Sequence, residues 1–290
     1  MLLGRPNTGK STLLNAVMGT KVAITSDTPQ TTRHRLRAII DRDDAQIVLV
    51  DTPGLHKPHD ALGEELNRSA LLALADVDVA CLVIDGSQPV GRGDQWVARH
   101  LANSRAHKVL VVTKADLVDQ ATTEKQIAAA AALANFDSVV VVSALEGFNL
   151  RGFVDAVVEL LPTGPRYFPR DMETDQSLEV MIAEFIREKI LRAMHDEVPH
   201  AVGVVLDEFE FHPKRDITSI RAVIYVERES QKGIIVGKGG AMIKRIGTEA
   251  RVDLERLLGG RVYLDLHVKV KRDWRRDAAQ IKRFGYGEGL

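Results

Sequence analysis

A single cysteine, Cys81, among 290 residues has no second thiol to pair with, which excludes an intramolecular disulfide and a thiolate metal cluster. The histidines show no metal-ligand spacing, so zinc is not expected either. No apolar run reaches the length of a bilayer, the closest being the alanine-rich stretch 127–134. No signal peptide precedes the first motif, and the expectation is a soluble chain in a reducing cytoplasm, with peripheral contact with the inner face of a membrane left open. Net charge is almost absent too, at -1, so any attraction to nucleic acid must come from locally clustered basic residues. There is no internal repeat and no low-complexity tract beyond the alanines. What is present is a globular mixture, 45% hydrophobic and 27% charged, in a chain long enough for two domains with a core each.

Up to about Leu161, short runs of Val, Ile and Leu alternate with longer helical patterns, the rhythm of an α/β domain with a mainly parallel sheet. Strands are predicted at 35–40 and 47–50, forming a hairpin, and at 79–84, 109–112 and 139–142. The last three are continuously apolar, as strands buried on both faces must be. Pro162, Gly164, Pro165 and Pro169 then break every periodic pattern, which places a linker near 162–175. The expected division is a first domain over 1–165, a linker over 166–175 and a second domain over 176–290 with a basic C-terminal tail. In the second, Leu178, Met181, Ile182, Phe185 and Ile190 recur at helical spacing, and strands follow at 202–206 and 220–226. Ile243, Ile246, Ala250, Leu254 and Leu257 mark another amphipathic helix. Val262, Leu264, Leu266, Val268 and Val270 alternate with polar neighbours as a half-buried strand does.

Gly4-Arg5-Pro6-Asn7-Thr8-Gly9-Lys10-Ser11 matches the phosphate-loop pattern G-x-x-x-x-G-K-[ST], with an apolar helix from Thr12 following. The glycines let backbone N–H groups turn inward on phosphates, Lys10 can reach the β- and γ-phosphates, and the Ser11 hydroxyl can ligate Mg2+. Three further motifs each end a predicted strand: Asp51-Thr52-Pro53-Gly54, Thr113-Lys114-Ala115-Asp116 and Ser143-Ala144-Leu145. Ligands of open α/β sheets bind outside the carboxyl ends of the strands, so these loops converge on one edge. Asp51 can hold Mg2+ through water, and Gly54 can offer its N–H to a γ-phosphate. The Asp116 carboxylate can accept from the N1–H and N2–H donors of guanine, which adenine lacks, and N–H groups around Ala144 can receive the guanine carbonyl. The competing reading of Asp116 is a helix N-cap before Leu117.

These residues resemble the G1, G3, G4 and G5 motifs of translation-factor-related GTPases. Asp27 to His34, with Asp51 to His56, is similar to the two switch regions of the Era family. The resemblance implies that Thr32, or else Thr31, closes over Mg2+ and the γ-phosphate of bound GTP. Leu55 stands where small GTPases often carry a water-orienting glutamine, so slow intrinsic turnover is expected. In related potassium-dependent GTPases an asparagine placed like Asn7 helps hold a monovalent cation, and K+ in place of an arginine finger is the corresponding expectation. The catalytic set is thus Lys10, Thr32, Gly54 and Asn7, and the metal set Ser11, Thr32 and Asp51. Nucleotide contacts are expected from 4–12, 51–55, 113–116 and 143–145.

Two departures stand out. Thr113 replaces the usual asparagine of N-K-x-D and has no amide to bridge the base and the phosphate loop, so weaker affinity with unchanged specificity is expected. Only Met1, Leu2 and Leu3 precede Gly4, although a central strand normally feeds this loop. The expectation is a start lying further upstream; a genuine start would bring low stability and weak nucleotide binding.

Gly237-Lys238-Gly239-Gly240 lies between two predicted helices, as the G-x-x-G loop of a KH domain does when it clamps a single-stranded backbone. The stretch from Tyr225 through this loop to Leu266 also resembles the Era family, and implies an α+β type II KH domain after the α/β P-loop GTPase domain. Lys232, Lys238, Lys244 and Arg245 gather near the loop and Lys269, Lys271 and Arg272 in the tail, a set expected to meet RNA phosphates. Trp274, Phe284 and Tyr286 are candidates for stacking on bases, against core packing for at least one of them. Altogether the resemblance implies a monomeric GTPase that binds the 3′ end of 16S rRNA rather than DNA and assists 30S subunit assembly. The alternative is an RNA-binding assembly scaffold with an impaired nucleotide site.

Overall fold

The computed structural model describes residues 1–58 and 60–286. They form two compact units, one of residues 1–25, 32–175 and Tyr286, the other of residues 26–31 and 176–285. Residues 287–290 of the expected second domain lie outside those described.

In the first unit the elements are β1 (Leu2–Leu3), α1 (Lys10–Met18), β2 (Leu36–Asp41), β3 (Gln46–Asp51), α2 (Ala61–Leu74), β4 (Val79–Asp85), α3 (Arg92–Ala102), β5 (His107–Thr113), α4 (Gln120–Ala131), β6 (Ser138–Val141) and α5 (Leu150–Val158). The described strands form one sheet in the order β2-β3-β1-β4-β5-β6, antiparallel only between β2 and β3. The two-residue pleat repeat sorts β4 cleanly. Val79, Cys81 and Val83 enter one core with Leu13, Leu14, Phe153 and Val157, while Ala80, Leu82 and Ile84 enter the other with Ala70, Val97 and Leu101. Burial on both faces explains the unbroken apolar runs of β4 and β5. Helix starts follow the sequence: Asp60 caps α2 by accepting from the Gly63 N–H at 2.8 Å, and Asp119 caps α4 through Thr122 N–H at 2.8 Å.

β1 has two residues, yet it occupies the centre of the sheet and pairs with both β3 and β4. Residues 166–175 run against the β2–β3 hairpin. The Gln46 side chain accepts from the Tyr167 and Phe168 N–H groups at 2.9 Å, and the Ile39 N–H donates to the Glu173 carbonyl at 2.8 Å. A short segment interrupted by Pro169 does not supply a regular strand, but single backbone bonds of this kind still fix it in place.

The second unit contains α6 (Leu178–Ala193), α7 (Val198–Ala201), β7 (Gly203–His212), β8 (Ile217–Val226), α8 (Glu229–Val236), α9 (Ala241–Leu258), β9 (Arg261–Val270) and α10 (Ala278–Arg283). Its described strands form a sheet β7-β8-β9, antiparallel then parallel. Ile182, Phe185, Ile186 and Ile190 of α6 are buried, as are Ile246, Ala250 and Leu254 of α9. β7 continues six residues past the predicted end at Leu206, because a register irregularity between Leu206 and Glu208 breaks the alternation that a sequence pattern follows. Arg187, fully buried on α6, is gripped by the Glu184 carboxylate and donates to the Thr31 carbonyl.

Candidate functional site

The phosphate loop runs from β1 into α1 with left-handed backbone at Asn7 (φ 64°) and Gly9 (φ 85°). A Cβ on Gly4 would lie 2.4 Å from the Val83 carbonyl oxygen, so the start of the loop admits only glycine. Asn7 is exposed at the crest, a position whose backbone asparagine tolerates better than most residues. Lys10 is buried and its Nζ donates to the carbonyls of Arg5 at 2.7 Å and Gly4 at 3.2 Å. Burial lowers its pKa from 10.5 to about 8, against the attraction of the Asp51 carboxylate. An ammonium desolvated on two neutral carbonyls gains by exchanging one of them for a phosphate oxygen.

Three oxygens meet beside it. The Ser11 hydroxyl donates to Asp51 Oδ2 at 2.5 Å, and Thr32 Oγ1 lies 2.9 Å from Ser11 Oγ and 3.4 Å from Asp51 Oδ2. Asp51 Oδ1 is buried with no hydrogen-bond partner, and burial pushes the carboxyl pKa up despite Lys10. A buried carboxylate oxygen lacking a donor, clustered with two hydroxyls, is the hard-oxygen donor set that suits Mg2+. Thr31 is placed otherwise. Its hydroxyl donates to the Thr28 carbonyl at 2.6 Å and lies 2.7 Å from Ser26 Oγ, so of the two threonines it is Thr32 that joins Ser11 and Asp51.

Gly54 closes on the phosphate loop, since a Cβ there would be 2.6 Å from the Pro6 nitrogen. Leu55 donates its N–H to the Gly4 carbonyl at 3.0 Å, and its side chain is buried in the core instead of facing the site. Thr52 donates its hydroxyl to the Leu2 carbonyl at 2.8 Å, tying β3 to β1 beside the loop.

Thr113 does more than the sequence suggested. Its buried hydroxyl sits 2.7 Å from the Thr8 carbonyl oxygen and 2.9 Å from that of Ile84, so the connection from this motif to the phosphate loop is kept without an amide. Asp116 is exposed, and Ser143 donates its hydroxyl to Oδ1 at 2.5 Å, which aims the carboxylate. Lys114, with left-handed backbone (φ 58°), pairs with Asp85 at 2.7 Å. Ala115 donates its N–H to the Val142 carbonyl at 3.3 Å, joining the loop after β5 to the one after β6. Leu117 and Leu145 are both exposed there, two apolar groups flanking a carboxylate at an open edge. Sequence reasoning missed Asp94, which holds the Arg5 side chain at 2.7 Å, and Asp85. No local pattern links either to the motif it steadies.

In the second unit, Gly237, Gly239 and Gly240 all have positive φ (71°, 59° and 79°) in the turn between α8 and α9. Added Cβ atoms would meet nothing within 4 Å at Gly239 and Gly240, so the crest of the loop is open to a closely approaching backbone. Lys238, Lys244 and Arg245 are at least partly exposed, and Arg245 also pairs with Glu249 at 2.8 Å. A groove of about 320 Å³ between α9 and β9 is lined by Lys244, Gly247, Arg251, Tyr263 and Leu266. Arg251 and Tyr263 are additions to the expected set; Tyr263 is 60% exposed on the polar phase of β9, where alternation alone marks a surface residue.

Of the two roles weighed for the three aromatics, core packing holds for all of them and stacking on bases for none. Trp274, Phe284 and Tyr286 are all buried. Trp274 donates its indole N–H to the Ala201 carbonyl at 2.9 Å and packs edge-on against Phe284, which stacks on Tyr225. Large aromatic rings gain more by burial than a short tail can offer them in solvent, and none of the three is available to a base.

Fold and site define a P-loop GTPase followed by a KH domain. Residues 1–114 match the family of 50S ribosome-binding GTPases and residues 197–275 the KH domain family. The chain belongs to the Era family: it is 47% identical over 289 residues to the GTPase Era of Mycobacterium avium, covering 98% of this chain and 97% of that one. The Mycobacterium tuberculosis GTPase Era is 47% identical over 290 residues, with 98% and 97% covered. A crystal structure of Era with MgGDPNP and nucleotides 1506–1542 of 16S ribosomal RNA has a TM-score of 0.96 at 35% identity, covering 99% of this chain and 97% of that one. A variant of Aquifex aeolicus Era bound to GDP·AlF4− has a TM-score of 0.94 at 35% identity, with 99% and 98% covered. Among the described residues no helix is long and apolar enough to cross a membrane.

Proposed function

We propose that this GTPase binds the 3′ end of 16S rRNA through its KH unit, as a monomer, and assists assembly of the 30S subunit, with GTP favouring the RNA-bound form and hydrolysis releasing it. The observation that carries this reading is the Era crystal structure with MgGDPNP and a 16S rRNA fragment, similar over nearly the whole of both chains. The open Gly237-Lys238-Gly239-Gly240 crest and the basic groove of Lys244 and Arg251 support it independently.

In the first unit, Lys10 and the loop N–H groups hold the β- and γ-phosphates, Gly54 meets the γ-phosphate, and Asp116 selects guanine. Ser11, Thr32 and, through water, Asp51 would hold Mg2+, whose chemistry is neutralisation of charge on the phosphate oxygens. Asn7 would hold K+, whose charge would stand in for an arginine finger. Faster turnover in potassium than in sodium chloride is expected, and equal rates would remove the cation from the scheme.

The RNA assignment is tested with the double variant Lys238→Asp, Gly239→Asp. Aspartate tolerates the left-handed backbone of Gly239, and neither position is buried, so the fold is retained. Anisotropy on a single strand matching the 3′ end of 16S rRNA should show binding at least about tenfold weaker, or ~1.4 kcal/mol. The slope of log affinity against log salt should become shallower by about 0.7 for each phosphate that the variant no longer neutralises. Undiminished binding, or equal affinity of the unaltered protein for an unrelated strand, argues against the assignment.

A further inference from the structure

We propose that Tyr286 is a positioning residue for Thr32. This rests on the reading of Thr32 as the hydroxyl that closes over Mg2+ and the γ-phosphate. The segment around Thr32 belongs to no helix or strand, so no ladder of backbone bonds sets its position. Side-chain contacts therefore weigh more in setting it. Within the first unit, the two residues after Thr32 converge on one ring: the Arg33 guanidinium carbon lies 5.3 Å from the centre of Tyr286, and the His34 ring lies 5.0 Å away, tilted by 54°. Arg33 is 1% exposed and Tyr286 3%. A cation over an aromatic face gains most where water is excluded, which is the case for this pair.

Neither residue has a place in the mechanism above, and an arginine is rarely buried unless it is paired. The consequence of burying it is positional. Adjacent Cα atoms are about 3.8 Å apart, so a shift of the Arg33 anchor is transmitted almost undiminished to Thr32, whereas Mg2+ demands near-ideal octahedral geometry. A displacement of about 1 Å at such a site is enough to cost ~100-fold in rate. The action of Tyr286 on hydrolysis therefore runs through Arg33 and His34.

The test compares Tyr286→Ala, Tyr286→Phe and Thr32→Ala in the full chain. Tyr286→Ala should lower kcat for GTP by about 10- to 100-fold, weaken binding of a non-hydrolysable GTP analogue and raise the Mg2+ concentration needed for half-maximal rate. GDP affinity should stay within about twofold, because the γ-phosphate is absent there. Tyr286→Phe keeps the ring face and should restore the kcat. In nucleotide-free protein, backbone amide exchange at 32–35 should quicken in the alanine variant alone. If Tyr286→Ala does not fold, Arg33→Met removes the cation from the same ring and should give the same split between GTP and GDP. Unaltered kcat and analogue affinity in Tyr286→Ala alongside losses in Thr32→Ala would overturn the positioning role. Equal losses of GDP and analogue affinity would make the ring merely structural. No effect of Thr32→Ala would instead remove the reading of Thr32, and the proposal with it.

Discussion

Replacing Asp116 by Asn should convert a guanine-selective protein into a xanthine-selective one. Guanine presents two donors, N1–H and N2–H, to a group that must accept both. The carboxylate can do so, with Ser143 donating to Oδ1 at 2.5 Å and fixing its direction. An amide in its place sets one of its own donors against the guanine amino group. One charge-assisted hydrogen bond of about 1.5–3 kcal/mol is then lost and the one from N1–H loses its charge assistance, so GTP affinity should fall by roughly 10- to 10^3-fold. Xanthine carries an oxygen where guanine carries the amino group, so the amide donates to it and accepts from N1–H. Competition of GTP and XTP for the variant, read with a fluorescent nucleotide, should therefore invert the preference. A variant that loses both nucleotides equally would point to a collapsed loop, and one that keeps GTP would remove Asp116 from base recognition.

Lys10→Ala should be at least as severe for the triphosphate. The ammonium is buried and bonded to the Gly4 and Arg5 carbonyls, the position from which it can reach phosphate oxygens. Two charge-assisted bonds lost with a buried ammonium amount to about 10^2- to 10^4-fold in GTP affinity, and GTP turnover should fall at least as far. The unaltered protein carries a subtler signature of the same residue. Its pKa of about 8 lies below the ordinary 10.5, so between those values the unfolded chain binds more protons than the folded one. Stability of the nucleotide-free protein should thus rise with pH across that window, and the full desolvation cost applies below it. Phosphates reverse the sign by holding the ammonium charged. Nucleotide affinity should fall as pH climbs past about 8, toward tenfold per unit, with proton uptake visible by calorimetry in buffers of different ionisation enthalpy. Lys10→Ala should abolish the uptake.

Most of the nucleotide site is contiguous in sequence, and that is why it could be read there. Gly4 to Ser11 is one stretch of backbone whose glycines, lysine and serine are each of the type a phosphate or its metal requires. The loops after β3, β5 and β6 are found at the ends of apolar runs that only buried parallel strands produce. The KH loop was legible for the same reason, being three positive-φ glycines and a lysine between two helical periodicities. What escaped depends on residues distant in the chain. Thr113 seemed a loss because its missing amide is visible in sequence, whereas its hydroxyl bond to Thr8, 105 positions away, is not. Asp94 on α3 holds Arg5 across a similar gap. For Trp274, Phe284 and Tyr286 the sequence left stacking and core packing both open, because composition does not say which way a ring turns. The irregularity near Leu206 hid half of β7 by shifting the alternation out of phase. In each case the deciding contact is tertiary, and no local propensity records it.

The most direct test of the central claim, a phosphate cradle around Lys10 joined to a base site at Asp116, is displacement of a fluorescent guanine nucleotide from the unaltered protein in the presence of Mg2+. GTP and GDP should displace it, and ATP should need at least about 100-fold higher concentration, because adenine turns an acceptor toward the Asp116 carboxylate. Displacement by ATP as readily as by GTP, or by neither, would contradict the claim.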